Sequence, residues 1–273
     1  MSRNTATSTT QKAQQFLESG YLIFDTNIPD TILDQTVKEF RKYWEGKKPI
    51  GVAHADAGRI QDGWVLSRGC FKIATFPNIL NVLREIYGRE PRPFQTLNFP
   101  VGTEQRPHAD SIHFNCEPFG LMCGVWVALE DVGPDQGPLI YYPGSQTLPE
   151  MNYEDIGLVP DPQNYTLYED FIERRIAEHR FIPEYGIVKK GQAIVWAANL
   201  LHGGSARKNR TLTRQSQVTH YYFEGAKPWR PWASKNERVY FEPDWIVQEN
   251  LPWRRRHLMK ERIKAKMINL LKH

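Results

Sequence analysis

The spacing of apolar residues along the chain changes near Gly88. Before it they recur every three or four positions, and after it they mostly alternate, so helices in front of a β-rich body are predicted. Residues 13–20 (AQQFLESG) read as a short helix stopped by glycine, and YLIFD over 21–25 as an apolar strand. A second helix fits 30–44, with Ile32, Leu33, Val37, Phe40 and Trp44 on one side. A third fits 78–87 and carries Ile79, Leu80, Val82, Leu83 and Ile86. Between 94 and 223 short β-rich runs alternate with Gly/Pro turns, the pattern of a sandwich or barrel. One interruption, NYTLYEDFIERRIAEHRF over 164–181, has helical spacing at Leu167, Phe171 and Ile176. The expected arrangement is one domain over 1–273, mainly β. A frayed start (1–10) and helical support (11–93) precede an all-β core (94–223) with a helical insertion at 148–190, and an extension with a basic helix follows (224–273).

Composition narrows the class. With 273 residues, 40% apolar and 24% charged, the chain is neither collagenous, coiled-coil nor wholly disordered, and it can bury a real core. No apolar run approaches the roughly 18 residues of a membrane span, and the polar start MSRNTATSTTQK lacks a signal peptide's apolar stretch, so the cytoplasm is the expected compartment. Cys70, Cys116 and Cys123 have no CxxC spacing, which argues against a disulfide framework and a thiolate zinc site. The net charge of +4 is unevenly placed: 253–273 carries +7 and the remainder −3. That tail reads as an amphipathic helix with Met259, Ile263, Met267 and Leu270 on one face. Such a helix packs on its own domain or a second subunit, or lies on an anionic membrane surface; no nucleic-acid partner is expected.

Two HxD tripeptides offer metal-ligating chemistry. His54 and Asp56 (GVAHADAGR) lie in a Gly/Ala-rich stretch with no strand pattern. His108 and Asp110 (RPHADSIHF) follow a strand at 94–99 and a Pro/Gly turn. On an extended chain residues i and i+2 share a face, so this imidazole and carboxylate can address one ion. A third ligand must come from elsewhere, and His202, where the buried run GQAIVWAANLLHGG meets a glycine turn, is the candidate. Two imidazoles and one carboxylate form the facial triad that suits Fe(II) and leaves positions open for a chelating cosubstrate and dioxygen. The same ligands suit a zinc hydrolase, which needs a general-base carboxylate as well, and a metabolite-binding β-sandwich without redox chemistry is a further alternative. Arg214, in LTRQSQVTHYYF, shares a strand face with Ser216, Val218 and His220, and an inward guanidinium there is costly unless it meets an anion.

The order LNFPVG, HAD, GVWVALEDV, DQGPLIYYPGSQ, LLHGGS and then arginine resembles the phytanoyl-CoA dioxygenase family of Fe(II)/2-oxoglutarate oxygenases over roughly 16–223. The resemblance implies a double-stranded β-helix, the cupin-like jelly roll, with iron at one open end. It implies His108, Asp110 and His202 as iron ligands and Arg214 on the distal carboxylate of 2-oxoglutarate, with Asn98, Trp126 and Ser205 lining the cosubstrate pocket. The implied reaction consumes 2-oxoglutarate and O2, releases succinate and CO2, and oxidises a C–H bond of a small metabolite or natural-product intermediate. Hydroxylation is the usual outcome, with desaturation or C–N cleavage as variants, and the filled carboxylate position speaks against halogenation. Ser111, His113, Lys72, Arg68 and His220, with Asn115, Trp64 and Tyr222, are the side chains expected to face substrate. Gln146 stands where the family often has histidine in PGSH, and the insertion at 148–190 falls where members vary.

Overall fold

A computed structural model describes residues 10–48 and 58–248. His54, Asp56 and the basic tail lie outside the described residues. Helix α1 (Gln11–Ser19), strand β1 (Tyr21–Asp25) and helix α2 (Asp30–Trp44) follow the sequence pattern closely. After the short β2 (Ile60–Gln61) come α3 (Arg68–Ala74) and α4 (Pro77–Tyr87). The sequence pattern did not single out α3, whose seven residues are too short for a periodic signal.

The β body continues with β3 (Pro91–Phe99), β4 (Asn115–Glu117), β5 (Met122–Ala128) and β6 (Leu139–Tyr141). Helix α5 (Tyr165–His179) forms the insertion, followed by β7 (Glu184–Tyr185), β8 (Gln192–Ala197), β9 (His202–Gly204), β10 (Ser216–Phe223) and β11 (Lys227–Trp229). One antiparallel sheet has six strands in the order β1-β8-β5-β10-β3-β2, and a second has three in the order β7-β6-β9. The buried run expected to lead into a glycine turn at His202 is therefore a strand, β8 in the large sheet, followed by a second one, β9 in the small sheet, that contains His202 and the glycines.

Period-two alternation gives the large sheet two apolar faces. Val125 and Val127 of β5, Val195 of β8 and Tyr221 of β10 pack with Leu33 of α2 and Ile79 and Leu83 of α4. The intervening Trp126, Ile194, Trp196 and Val218 turn the other way, toward Leu139 and Tyr141 of β6. The helices thus close one face of the large sheet, and the small sheet and the site occupy the other.

Helix α5 buries Tyr168 and Ile172, while Leu167 is half exposed. Phe171 and Ile176 of the expected face pack partly buried against this cluster, and the fully buried positions lie one residue beyond the expected Leu167 and Phe171, because Leu148, Met151 and Tyr153 of the preceding loop meet the Tyr168 side. Gln146 ties the first helix down instead of facing the site: its amide donates to the Leu17 and Glu18 carbonyls at the end of α1.

Candidate active site

His108 and His202 sit opposite one another in an isolated antiparallel bridge, each backbone N–H donating to the other's carbonyl at 2.9 Å. This bridge fixes two imidazoles from distant parts of the sequence side by side, with ring centres 4.6 Å apart. Strand β9 reaches that position because Gly203 has no side chain: a Cβ there would stand 2.6 Å from the Gln105 carbonyl oxygen. The Ser145 hydroxyl of PGSQ accepts from the Leu201 N–H at 2.9 Å and helps set the approach. Beyond His108, Ala109 is extended (φ −107°, ψ 139°), and a 3-10 turn begins at Asp110, so His108 and Asp110 come to the same side. The Tyr168 hydroxyl of α5 accepts from the Ala109 N–H at 3.1 Å, which braces the tripeptide from the insertion.

The donor atoms converge. Nδ1 of His108 lies 3.0 Å from the Arg106 carbonyl, and Nδ1 of His202 3.0 Å from the Leu200 carbonyl. A carbonyl only accepts, so each Nδ1 carries the proton and each Nε2 keeps its lone pair. Those Nε2 atoms are 3.8 and 3.6 Å from Asp110 Oδ1. Oδ2 of Asp110 accepts from Trp196 Nε1–H at 2.7 Å and from His220 Nε2–H at 3.2 Å. One carboxylate oxygen is thereby tied back and the other is presented beside the two nitrogens. The three residues are buried, and their ligand atoms lie within 4.8 Å of one another. Burial alone would raise the Asp110 carboxyl, but the electrostatic influence of the neighbouring His202 and His220, with a hydrogen bond from His220, holds it below the usual carboxylate range.

Next to this set, a pocket of about 440 Å³, counted out to its open mouth, is walled by Phe99, Thr103, Trp126, Leu139, Arg214 and Val218. Arg214 is only 2% exposed, and among the described residues its guanidinium has one hydrogen-bond partner, the Gly137 carbonyl at 3.0 Å. Its Nε and the indole Nε1 of Trp126 are buried donors without an acceptor among the described residues. Burial, with Arg207 adding to it, pushes the guanidinium down to about 10, so it remains a cation at neutral pH. A buried cation and an orphaned indole N–H on one wall are the lining an anionic ligand requires.

The phytanoyl-CoA dioxygenase (PhyH) family matches residues 16–216. The chain belongs to the phytanoyl-CoA dioxygenase family. Similar proteins include phytanoyl-CoA dioxygenase domain-containing protein 1 of Danio rerio, 26% identical over 178 residues, covering 62% of this chain and 59% of that protein. The Mus musculus protein of the same name is 25% identical over 146 residues, covering 52% and 48%. The chain thus spans about half the length of the curated relatives it matches. Among solved structures, the non-heme α-ketoglutarate-dependent epimerase SnoN from nogalamycin biosynthesis superposes with a TM-score of 0.64 at 19% identity, covering 86% of this chain and 95% of that one. EctD from S. alaskensis, with 2-oxoglutarate and 5-hydroxyectoine, gives 0.65 at 17%, covering 91% and 86%. These likenesses show a shared fold.

Within this family member, the expected site residues divide. His108, Asp110, His202, Trp126, Arg214 and His220 line one pocket. Asn98 does not: on β3 the inward positions are Leu97 and Phe99, and Asn98 turns to the helical side, where its amide donates to Gln217 and its carbonyl oxygen accepts from Cys70. Ser205 is also outside, its hydroxyl donating to the Pro138 carbonyl at 2.8 Å, because β9 has turned away after Gly204. Arg68 is exposed and Lys72 half-buried on α3, a helix behind β3, and neither lines the pocket. Ser111 is buried in the turn after Asp110, its N–H donating to Ala198. His113 stands 5.9 Å, ring to ring, from His108, with Nε2 3.2 Å from the Tyr165 hydroxyl. Asn115 and Tyr222 serve packing: Asn115 donates to Glu150, and the Tyr222 hydroxyl donates to the Asn115 carbonyl. Trp64 is buried among Phe40, Ile60 and Cys70.

Sequence reasoning missed Trp196, Tyr168 and Gln105, whose side-chain amide nitrogen lies 3.4 Å from His108 Nε2 in the pocket. Trp196 reads as core in AIVWAA, and the signal that finds it is its partner in register, Gly124. A Cβ on Gly124 would lie 2.4 Å from the Trp196 ring, so this glycine lets the indole lie across β5 toward Asp110. Trp196→Phe keeps the ring and removes the donor. It is expected to weaken Fe(II) binding about 10- to 100-fold, the usual consequence of losing a group that orients a ligand. Competition with a chelator of known affinity measures this, and unchanged binding would exclude an orienting role for the indole.

The histidines also set a pH dependence for the metal-free protein. Burial, reinforced by His202, pushes His108 down to about 3, and burial pushes His113 down to about 4. The unfolded chain binds protons on these residues below about pH 6.5, whereas the folded chain does not until much lower pH. Stability therefore falls as pH drops from about 6.5 toward 4, by at most about 1.4 kcal/mol per pH unit for each histidine. Urea denaturation at about pH 7, 6 and 5 is expected to show this decline, and His113→Asn to flatten it by up to one proton's share. A flat wild-type profile contradicts the assignment.

Proposed function

We propose that this chain is an Fe(II)- and 2-oxoglutarate-dependent oxygenase that hydroxylates an unactivated C–H bond of a small metabolite or natural-product intermediate. Family membership supports the reaction class. The observation that carries it is the pairing, in one pocket, of a buried His108–Asp110–His202 donor set with a buried Arg214 that has no anionic partner among the described residues. The donor set fits Fe(II): two imidazole lone pairs and one carboxylate oxygen, with both histidine tautomers and the carboxylate orientation fixed by hydrogen bonds. Bound iron would supply a centre at which 2-oxoglutarate and dioxygen react, with succinate and CO2 released. Arg214 and Trp126 hold the distal carboxylate of 2-oxoglutarate, and Phe99, Leu139 and Val218 exclude water around its carbon chain. Trp196 and His220 keep Asp110 ionised and aimed.

In the same reading the two sheets are the halves of a double-stranded β-helix, or jelly roll, and the whole chain acts as one oxygenase domain. The helices over 11–93 support the large sheet, and the insertion at 148–190 braces His108 and Asp110. Among the described residues the pocket holds no acid besides Asp110, so the general-base carboxylate that a zinc hydrolase needs is not supplied there.

Anaerobic titration of the metal-free protein with Fe(II) and 2-oxoglutarate tests the proposal. A weak visible metal-to-ligand charge-transfer band is expected in wild type and in His54→Ala, and none in His108→Ala. Retention of the band in His108→Ala would reassign the site. Oxygen-dependent succinate release then separates an oxygenase from a protein that only binds metabolites.

A further inference from the structure

The chain beyond β10 returns to the side of the molecule that carries Asp110. Strand β11 pairs with β4, and the 3-10 turn Pro231–Ala233 lies against the one at Asp110–Ile112. Arg230 stands at this junction. Its guanidinium carbon is 4.0 Å from the centre of the Phe241 ring, 5.3 Å from Phe114 and 5.9 Å from Trp232. Phe114 lies 5.8 Å from the ring of His220, whose Nε2 is 3.2 Å from Asp110 Oδ2. One aromatic layer thus separates Arg230 from the imidazole that supports the donor set. Arg230 is half-buried, and among the described residues its side chain makes no ion pair and no hydrogen bond. Tyr222 and Asp62 are the groups whose field reaches it, and burial draws the guanidinium below its usual range while leaving it cationic.

We propose that Arg230 binds an oxyanion, a carboxylate or phosphate monoester, on a substrate with an apolar or aromatic body. Rings beside a guanidinium cover its faces and leave its N–H edge free, the arrangement that grips an oxyanion through two parallel hydrogen bonds. Trp232, 43% exposed beside it, offers a flat apolar wall to the rest of the ligand. Desolvating a cation that has no anionic partner among the described residues is unfavourable, and an incoming anion reverses that penalty. That the anion belongs to the substrate rests on the oxygenase reading; the binding itself does not require iron.

The test uses the full-length, metal-free protein and calorimetric titration. Benzoate, 3-phenylpropionate and hexyl phosphate are each compared with a neutral counterpart: methyl benzoate, methyl 3-phenylpropionate and hexanol. At least one anion is expected to bind where its counterpart does not, and the carboxylate and phosphate arms show which oxyanion is preferred. Arg230→Gln is expected to weaken that binding about 10- to 100-fold, the effect of losing hydrogen bonds to a charged group, with Arg230→Lys recovering part of it. Arg214→Gln is expected to leave it in place. Equal binding of neutral counterparts, no anion bound below about 10 mM, or loss in Arg214→Gln instead of Arg230→Gln overturns the proposal. Absence of the Fe(II)/2-oxoglutarate band in wild type overturns the oxygenase reading, and this titration is unaffected by it.

Discussion

Asp110→Asn is expected to fold and to lose the metal. In the native arrangement Oδ2 accepts two hydrogen bonds, from Trp196 and His220, while Oδ1 faces the lone pairs of His108 and His202. An asparagine keeps those two donors satisfied with its carbonyl oxygen and turns its NH2 toward the imidazole nitrogens, where it donates. The pocket stays intact, and the metal position is filled by hydrogens. Because disturbing a group that merely orients a ligand costs about 10- to 100-fold in affinity, losing the carboxylate itself is expected to exceed 100-fold for Fe(II) and to remove succinate release. Asp110→Ala has the same consequence for metal but a further one for stability. It leaves the Trp196 and His220 donors unpaired in a buried site, at about 1–3 kcal/mol each. Chelator competition and urea denaturation on the two variants separate the effects. Asparagine binding Fe(II) within a few-fold of wild type would remove Asp110 from the ligand set.

The parts of this arrangement that were legible in the sequence are those that depend on local pattern. The apolar spacing of α2 sets its limits at Asp30 and Trp44, and HAD marks two site residues because one extended residue, Ala109, is enough to bring i and i+2 to one side. The glycines behind His202 mark it in the sequence, and the structure explains them by the close approach of β9 to the 103–106 segment. What was not legible depends on register and on which strand belongs to which sheet. The alternation along β3 names two faces without saying which one holds the pocket, so Asn98 and Leu97 are indistinguishable until β10 is paired beside them. Ser205 fails for a related reason, since a three-residue strand ends before it. Trp196 and Gly124 are adjacent only across β5 and β8, and a pair of that kind has no signature within either segment.

Arg214→Met is expected to move stability and cosubstrate binding in opposite directions. The native guanidinium is buried, with one carbonyl partner and an unpaired Nε among the described residues, and burial has already pulled it down to about 10. In the metal-free protein this is an unpaid desolvation penalty of a few kcal/mol, and an apolar side chain of similar volume relieves it. The variant without ligands should therefore melt at the wild-type temperature or above. With Fe(II) and 2-oxoglutarate present the balance inverts: the distal carboxylate loses its charge-assisted partner in a dry pocket. Breaking a buried ion pair costs about 3–5 kcal/mol, so the KM for 2-oxoglutarate is expected to rise by at least about 100-fold. Arg214→Lys, which keeps the charge and loses the planar fork, should fall between the two. Melting curves with and without 2-oxoglutarate under anaerobic Fe(II), together with succinate assays, read both quantities. A metal-free Arg214→Met protein that melts well below wild type, with a KM changed by less than about five-fold, would make Arg214 a structural residue. The opposite signs matter because a residue kept at a cost to the empty protein must be repaid by what it binds.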